Sequence, residues 1–201
     1  MIELRPFATL GSADHGWLQA HHHFSFANYH DPARMQWGNL RVWNDDTIAA
    51  GQGFPPHSHR DMEIVTYVRK GAISHRDDLG NEGRTVAGDV QVMSAGSGIQ
   101  HSEFNREDET TQIFQLWIIP DERGGAPSWG AAPFPKADRA GQFVPLASNK
   151  GDDGALPIRA DASVSGAFLR AGESITYRTD HMRHLYCVAA SGAVRVGAIE
   201  A

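Results

Sequence analysis

Between Leu40 and Pro120, short runs rich in β-branched and aromatic residues alternate with turn signals. Leu40-Arg41-Val42-Trp43, Glu63 to Val68, Asp89 to Met93 and Thr111 to Ile119 each show the two-residue alternation or the short apolar run of a strand. Lys70-Gly71, Leu79 to Gly83 and Ala87-Gly88-Asp89 separate them with Gly beside Asn or Asp, the residues that tolerate the positive φ of tight turns. No helical run of any length lies between. Many short strands at regular spacing predict an all-β protein, an antiparallel sandwich or small barrel with little helix.

From Asp121 to about Ala160 the chain turns to Gly, Pro and Ala with few β-branched residues, which is loop or crossover chemistry. Strand-like segments resume at Ser165–Leu169, Ile175–Tyr177, His184–Val188 and Ala193–Val196. Three parts are therefore expected: an N-terminal β unit over 1–124, a crossover over 125–160, and a shorter β unit over 161–201. The last is too short to close a barrel unless it borrows strands.

With 201 residues, 41% apolar and 21% charged, the chain has ordinary globular composition, which excludes disorder and fibre. Eighteen basic residues are spread along the chain against 24 acidic ones, a formal charge of −6, which speaks against unaided binding to nucleic acid or to an anionic membrane. Cys187, the lone cysteine, cannot form an intrachain disulfide, Glu3 and Arg5 interrupt any apolar signal region, and no stretch approaches the roughly 20 apolar residues of a membrane span. A soluble cytoplasmic protein is expected. Nine of the eleven histidines lie at or before position 101, so the chemistry is expected in the first half.

In Gly53-Phe54-Pro55-Pro56-His57-Ser58-His59 two histidines stand at i and i+2, one face of a strand. Ile99-Gln100-His101-Ser102-Glu103 repeats the spacing with His and Glu. If both pairs face one barrel interior, His57, His59, His101 and Glu103 offer three imidazole nitrogens and a carboxylate oxygen to one point. That donor set suits divalent Fe, Mn, Co, Ni, Cu or Zn, with one or two positions left for water or substrate. A lone H-x-H is more often a polar strand face than a ligand pair; two such pairs in a β context carry more weight.

His57-x-His59-x3-Glu63, then Gly88-Asp89, then His101-x3-Asn105, is similar to the paired motifs of the cupin superfamily. More closely, GFPPHSHRDMEIVTYV, GAISHRDDLGN, GDVQVMSAGSGIQHSEFN and QLWIIPDERGGAP resemble the pirin family. Gly16-Trp17-Leu18, His22 to Phe26 and Tyr29-His30-Asp31-Pro32 are similar to its N-terminal signature. The resemblance implies a bicupin; this chain stops at Ala201, a few strands earlier than a complete second cupin would, and repeats neither ligand pair after residue 104, so its C-terminal part is expected to be shortened and without metal. The resemblance also implies one metal in the N-terminal barrel on His57, His59, His101 and Glu103, with iron the expected ion, and a quercetin 2,3-dioxygenase activity found in some members. Other members are described as regulators. His23 departs from the family, which usually has a small hydroxyl residue there.

Glu63 stands where other cupins place a carboxylate ligand, but by the resemblance it is expected near the metal or at the surface rather than on it. His22 is the better candidate to border a cavity. His75 is expected in a solvated turn, and His181 and His184 off a common face. Trp37, Trp43, Phe54 and Phe114 read as core, one or two of them also walling a pocket, and Cys187 as a small buried hydrophobe.

The expected chemistry is oxidative, on a small planar phenol and dioxygen. A divalent metal lowers the pKa of a flavonol's enol hydroxyl, and Glu103 is the nearest proton acceptor. The resemblance implies ring cleavage with release of carbon monoxide and formation of a depside. The alternative is a non-catalytic metal-binding regulator that acts through a protein partner. The same four ligands serve both.

Overall fold

The alternating segments of the first half pair into two facing antiparallel sheets in the computed structural model, which describes residues 2–134, 141–151 and 154–200. In chain order the strands are β1 (Gly11–Asp14), β2 (Leu18–His22), β3 (Leu40–Ile48), β4 (Gly53–His59), β5 (Glu63–Lys70), β6 (Ala72–Asp77), β7 (Glu82–Val86), β8 (Val90–Ser94), β9 (Ile99–Phe104), β10 (Thr111–Ile118) and β11 (Ser128–Ala132). Among the described residues the larger sheet has the order β1-β2-β3-β10-β5-β8-β11 and the smaller β4-β9-β6-β7. The chain crosses between sheets after β3, β4, β5, β7, β8 and β9, the double-sheet arrangement that the strand and turn pattern predicts. Gly71, at φ +73° between β5 and β6, occupies the turn that Lys70-Gly71 signals.

The central strands are buried on both faces, and the two faces differ. On the outer one, Val65, Val90, Val92, Phe114, Leu116 and Ile118 form an apolar cluster with Leu146, Ala147, Ile158 and Ala160 from the C-terminal part. On the inner one, Leu18, Ala20, Ile48, Val68, Ile73 and Ile113 close one end, and Ile64, Met93, Ala95 and Ile99 close the other. Between these plugs lies a polar layer. Thr66 sits between Ile64 and Val68 on β5, and Gln115 follows Ile113 on β10; Asn44, Asp46, Gln91, His75, His101 and Glu103 are buried with them. Burying so many polar groups costs stability unless each is paired, which makes the layer the candidate site.

Beyond residue 140 the sheets are smaller: β12 (Val144–Ser148) pairs with β13 (Leu156–Pro157) and β14 (Ser163–Gly166), and β15 (Arg195–Val196) with β16 (Ile199–Glu200). The stretch expected as a crossover carries β11, which pairs with β8 in the large sheet, and β12; residues 135–140 within it lie outside the described residues. The segments expected as strands at Ile175–Tyr177 and His184–Val188 are irregular, and neither joins a ladder among the described residues. Cys187, expected in a buried strand, is exposed in the second of these. Trp37, expected in the core, is 42% exposed, with its ring edge against His184 and its Nε1 donating to the Leu185 carbonyl. Phe114 is core, and Trp43 packs on it at a centroid distance of 5.4 Å.

Candidate metal centre

Two prolines set the geometry of β4. The register runs Phe54↔Glu103 and then His57↔His101, three residues against two, so β4 bulges at Pro55-Pro56, where no backbone N–H is available for a ladder. The bulge puts the Pro55 carbonyl 2.8 Å from Nδ1 of His57. A carbonyl only accepts, so in the neutral tautomer that this contact selects Nδ1 carries the proton and Nε2 the lone pair. Directly across, His101 packs against His57 with ring centroids 4.5 Å apart, and His59 lies 5.0 Å from His101. One ring nitrogen from each of His57, His59 and His101 lies within 4.8 Å of the other two.

Glu103 does not join that trio. It forms a second cluster with His101 and His75, again within 4.8 Å. Its carboxylate is gripped from both sides: Gln91 Nε2 donates to Oε1 at 2.6 Å and Gln115 Nε2 to Oε2 at 2.7 Å. Both amides are themselves oriented, by Thr85 Oγ1 on Gln91 Oε1 at 2.9 Å and by Trp117 Nε1 on Gln115 Oε1 at 3.2 Å. Burial raises the Glu103 carboxyl to about 7, against the pull of the bonds from Gln115, Thr66 and Gln91. His75, expected in a solvated turn, is instead 1% exposed on β6, where Asp77 holds its Nε2 and Trp129 stacks on its face. Its alternation with Asp77 is the same i, i+2 signal as in the ligand pairs.

A cavity of about 310 Å³ adjoins this layer, lined among others by His22, Phe26, Tyr29, Phe54, Asp46 and Gln115. That is the lower end of the range of small-molecule sites, about 300–1,000 Å³. Gln115 belongs to both the cavity wall and the Glu103 network. Asp46 is 2% exposed with an unpartnered Oδ1, and burial, then the charges of Asp45 and Glu103, push it up to about 8. His22 lines the cavity, with Nδ1 2.9 Å from Asn44 Oδ1. His23 points elsewhere, to the Tyr186 hydroxyl at 2.9 Å. Glu63 is buried, accepts from Ser94 Oγ at 2.5 Å, and lies outside both histidine clusters. A more open cleft of about 420 Å³ beside His59 is lined by Ser58, Arg60, Asp78 and Gln100.

The trio fits a divalent metal on its own chemistry. His101 Nε2 is buried and has no partner within the protein. Burial, then neighbouring imidazoles, lower His59 to about 4 and His101 to about 2, so both are neutral donors at neutral pH. Donors on one ion at bond lengths of about 2.1 Å stand about 3–4 Å apart, a spacing that lies within the trio's span.

A family described as Pirin matches residues 4–118, and one described as quercetinase C-terminal cupin domain matches residues 145–200. A pirin-like protein of Caulobacter vibrioides is 65% identical over 200 residues, covering 99% of this chain and 86% of that protein. The quercetin 2,3-dioxygenase of Escherichia coli K12 is 41% identical over 202 residues, covering 100% of this chain and 86% of that protein. The crystal structure of the bacterial pirin YhhW from Escherichia coli in complex with nickel(II) superposes with a TM-score of 0.76 at 44% identity, covering 81% of this chain and 69% of that one.

Proposed function

The chain belongs to the pirin family, and we propose that it is a divalent-metal-dependent dioxygenase that opens the central ring of flavonols such as quercetin with O2. The ligands in this reading are His57, His59, His101 and Glu103, and the ion is iron. The observation that carries it is Gln115, which joins an aromatic-walled cavity to a carboxylate buried beside an unpartnered imidazole nitrogen.

The metal supplies Lewis acidity at the flavonol hydroxyl and a route for electrons to dioxygen. The chain supplies the rest. Phe26, Tyr29 and Phe54 provide flat apolar walls for a planar ring system, while His22, Asp46 and Gln115 offer a few placed polar groups to orient it. Leu18 and Ala20, from one of the apolar plugs, extend the apolar lining of the same cavity. Glu103, held near 7, is matched to take the hydroxyl proton at neutral pH, and the fixed amides of Gln91 and Gln115 keep it pointed. The cleft beside His59 lacks aromatic walls and is assigned no substrate.

The test is protein purified without chelator, analysed for metal, and mixed with quercetin while dioxygen, flavonol absorbance and carbon monoxide are followed. Uptake of one O2 per flavonol lost, with carbon monoxide released, supports the reading. A metal-loaded protein that leaves quercetin and related phenols untouched, and recovers a protein partner only when metallated, returns it to the regulator.

A further inference from the structure

We propose that Asp77 and His75 are positioning residues for the metal centre, fixing the ring proton of His101 on Nδ1 so that its Nε2 stands bare beside His57 and His59. This rests on His101 being a ligand, as read above.

The chain of inference starts at the carboxylate. Asp77 Oδ1 accepts from the backbone N–H groups of Leu79 at 3.0 Å and Asn81 at 2.9 Å. Its Oδ2 accepts from Asn81 Nδ2 at 2.9 Å and faces His75 Nε2 at 3.0 Å. A carboxylate ringed by donors is an acceptor throughout, so His75 Nε2 carries the hydrogen. The His75 side chain is wholly buried and packs against the His101 imidazole, where a charged ring would be costly, so the neutral ring is the relevant species. A neutral imidazole has one ring proton, and His75 Nδ1 is therefore a bare acceptor. It faces His101 Nδ1 at 3.4 Å, where one nitrogen must donate, and only His101 can. The remaining nitrogen, His101 Nε2, is the buried atom without a partner.

The His75 ring is clamped in this orientation. Trp129 stacks on it at 4.8 Å with planes 8° apart, and the indole fits there because residue 83 is Gly, where a Cβ would come within 2.2 Å of the Trp129 ring. The negative charge of Asp77 is passed along two hydrogen bonds to make His101 a stronger donor, as outer partners of metal-bound histidines do.

Asp77→Asn makes the idea testable, because the two backbone N–H groups hold the amide oxygen and leave Nδ2 facing His75. Every proton in the chain then shifts by one position, and His101 Nε2 becomes N–H. His75→Gln preserves the original sense, since its amide can donate to Asp77 and accept from His101; His75→Leu cannot. The measurements are two-bond 1H–15N NMR of the metal-free proteins and titration with Co(II), read by its visible absorption. Expected are an Nδ1–H His101 in the wild type, an Nε2–H His101 in Asp77→Asn, and Co(II) affinity about 10–100-fold weaker in Asp77→Asn and His75→Leu. His75→Gln should stay close to wild type. Wild-type His101 protonated on Nε2, an Asp77→Asn protein that binds Co(II) like wild type, or equal losses in His75→Gln and His75→Leu would overturn the proposal. Should Asp77→Asn fail to fold, the two His75 variants decide. A wild type that binds no Co(II) but shows the Nδ1–H form overturns the metal centre while leaving the tautomer assignment intact.

Discussion

Gln115 Nε2 donates to Glu103 Oε2 at 2.7 Å while the same side chain walls the cavity, so the proposed base and the proposed substrate site share one amide. Glu103→Gln keeps the shape and a coordinating oxygen but removes the charge and the proton acceptor. Metal should bind more weakly, and turnover per bound metal should fall by about 10²-fold or more, the scale of a general base. Metal content and O2 uptake measured on the same samples check this. A loss of activity only in proportion to lost metal makes Glu103 a ligand and nothing more.

One metal per chain is expected, because the proposed ligands all lie before residue 104. The double substitution His57→Ala/His59→Ala removes two of the three trio nitrogens and should abolish stoichiometric binding. Elemental analysis showing two equivalents in the wild type, or full occupancy in the double variant, contradicts it.

Leu146 and Ile158 cover the outer face of the large sheet, so the C-terminal part acts as a packing partner. Leu146→Ala should cost about 2–5 kcal/mol of stability, the range for a buried Leu truncation. Ending the chain near Gly141 uncovers the whole cluster and should sharply lower solubility or Tm. Thermal unfolding of both proteins is the check; a fully active, equally stable fragment refutes the assignment.

His23 is held at about 4, below the ordinary 6.5 of an imidazole, mainly by burial and then by the charges of Arg5 and Arg34. Its folded pKa is depressed, so the unfolded chain binds the extra proton first. The neutral ring's contribution is fully present above pH 6.5 and is lost as pH falls towards 4. Lowering the ring from 6.5 to about 4 corresponds to roughly 3–4 kcal/mol at most. Urea unfolding of metal-free wild type and His23→Gln at pH 7 and pH 4.5 isolates the effect from that of His59 and His101. A variant that loses stability with acid as steeply as wild type refutes the role.

The histidine trio was legible because i, i+2 spacing on a strand is a local property: once β4 and β9 pair, His57, His59 and His101 converge without further information. What escaped depends on distant pairing. β11 lies in a Gly- and Pro-rich stretch and becomes a strand only because β8 offers a ladder. His75 follows a turn signal, and its burial comes from Trp129 on that same strand. Asp46, Gln91 and Gln115 read as surface polar positions of strands, whereas the second sheet turns their faces into an interior. Ile175–Tyr177 and His184–Val188 have strand composition, but a strand needs a neighbour, and none pairs with them among the described residues.

The strand that carries His57 and His59 is an outermost strand of its sheet, a position whose free rim would ordinarily invite another chain to add itself as a further strand. Pro55 and Pro56 leave that strand short of two backbone donors, of which alternation turns about one towards the rim, and the bulge bends it out of register. The residues that aim His57 therefore also guard against self-association, so the protein can keep a ligand-bearing strand at its border without becoming a template for aggregation.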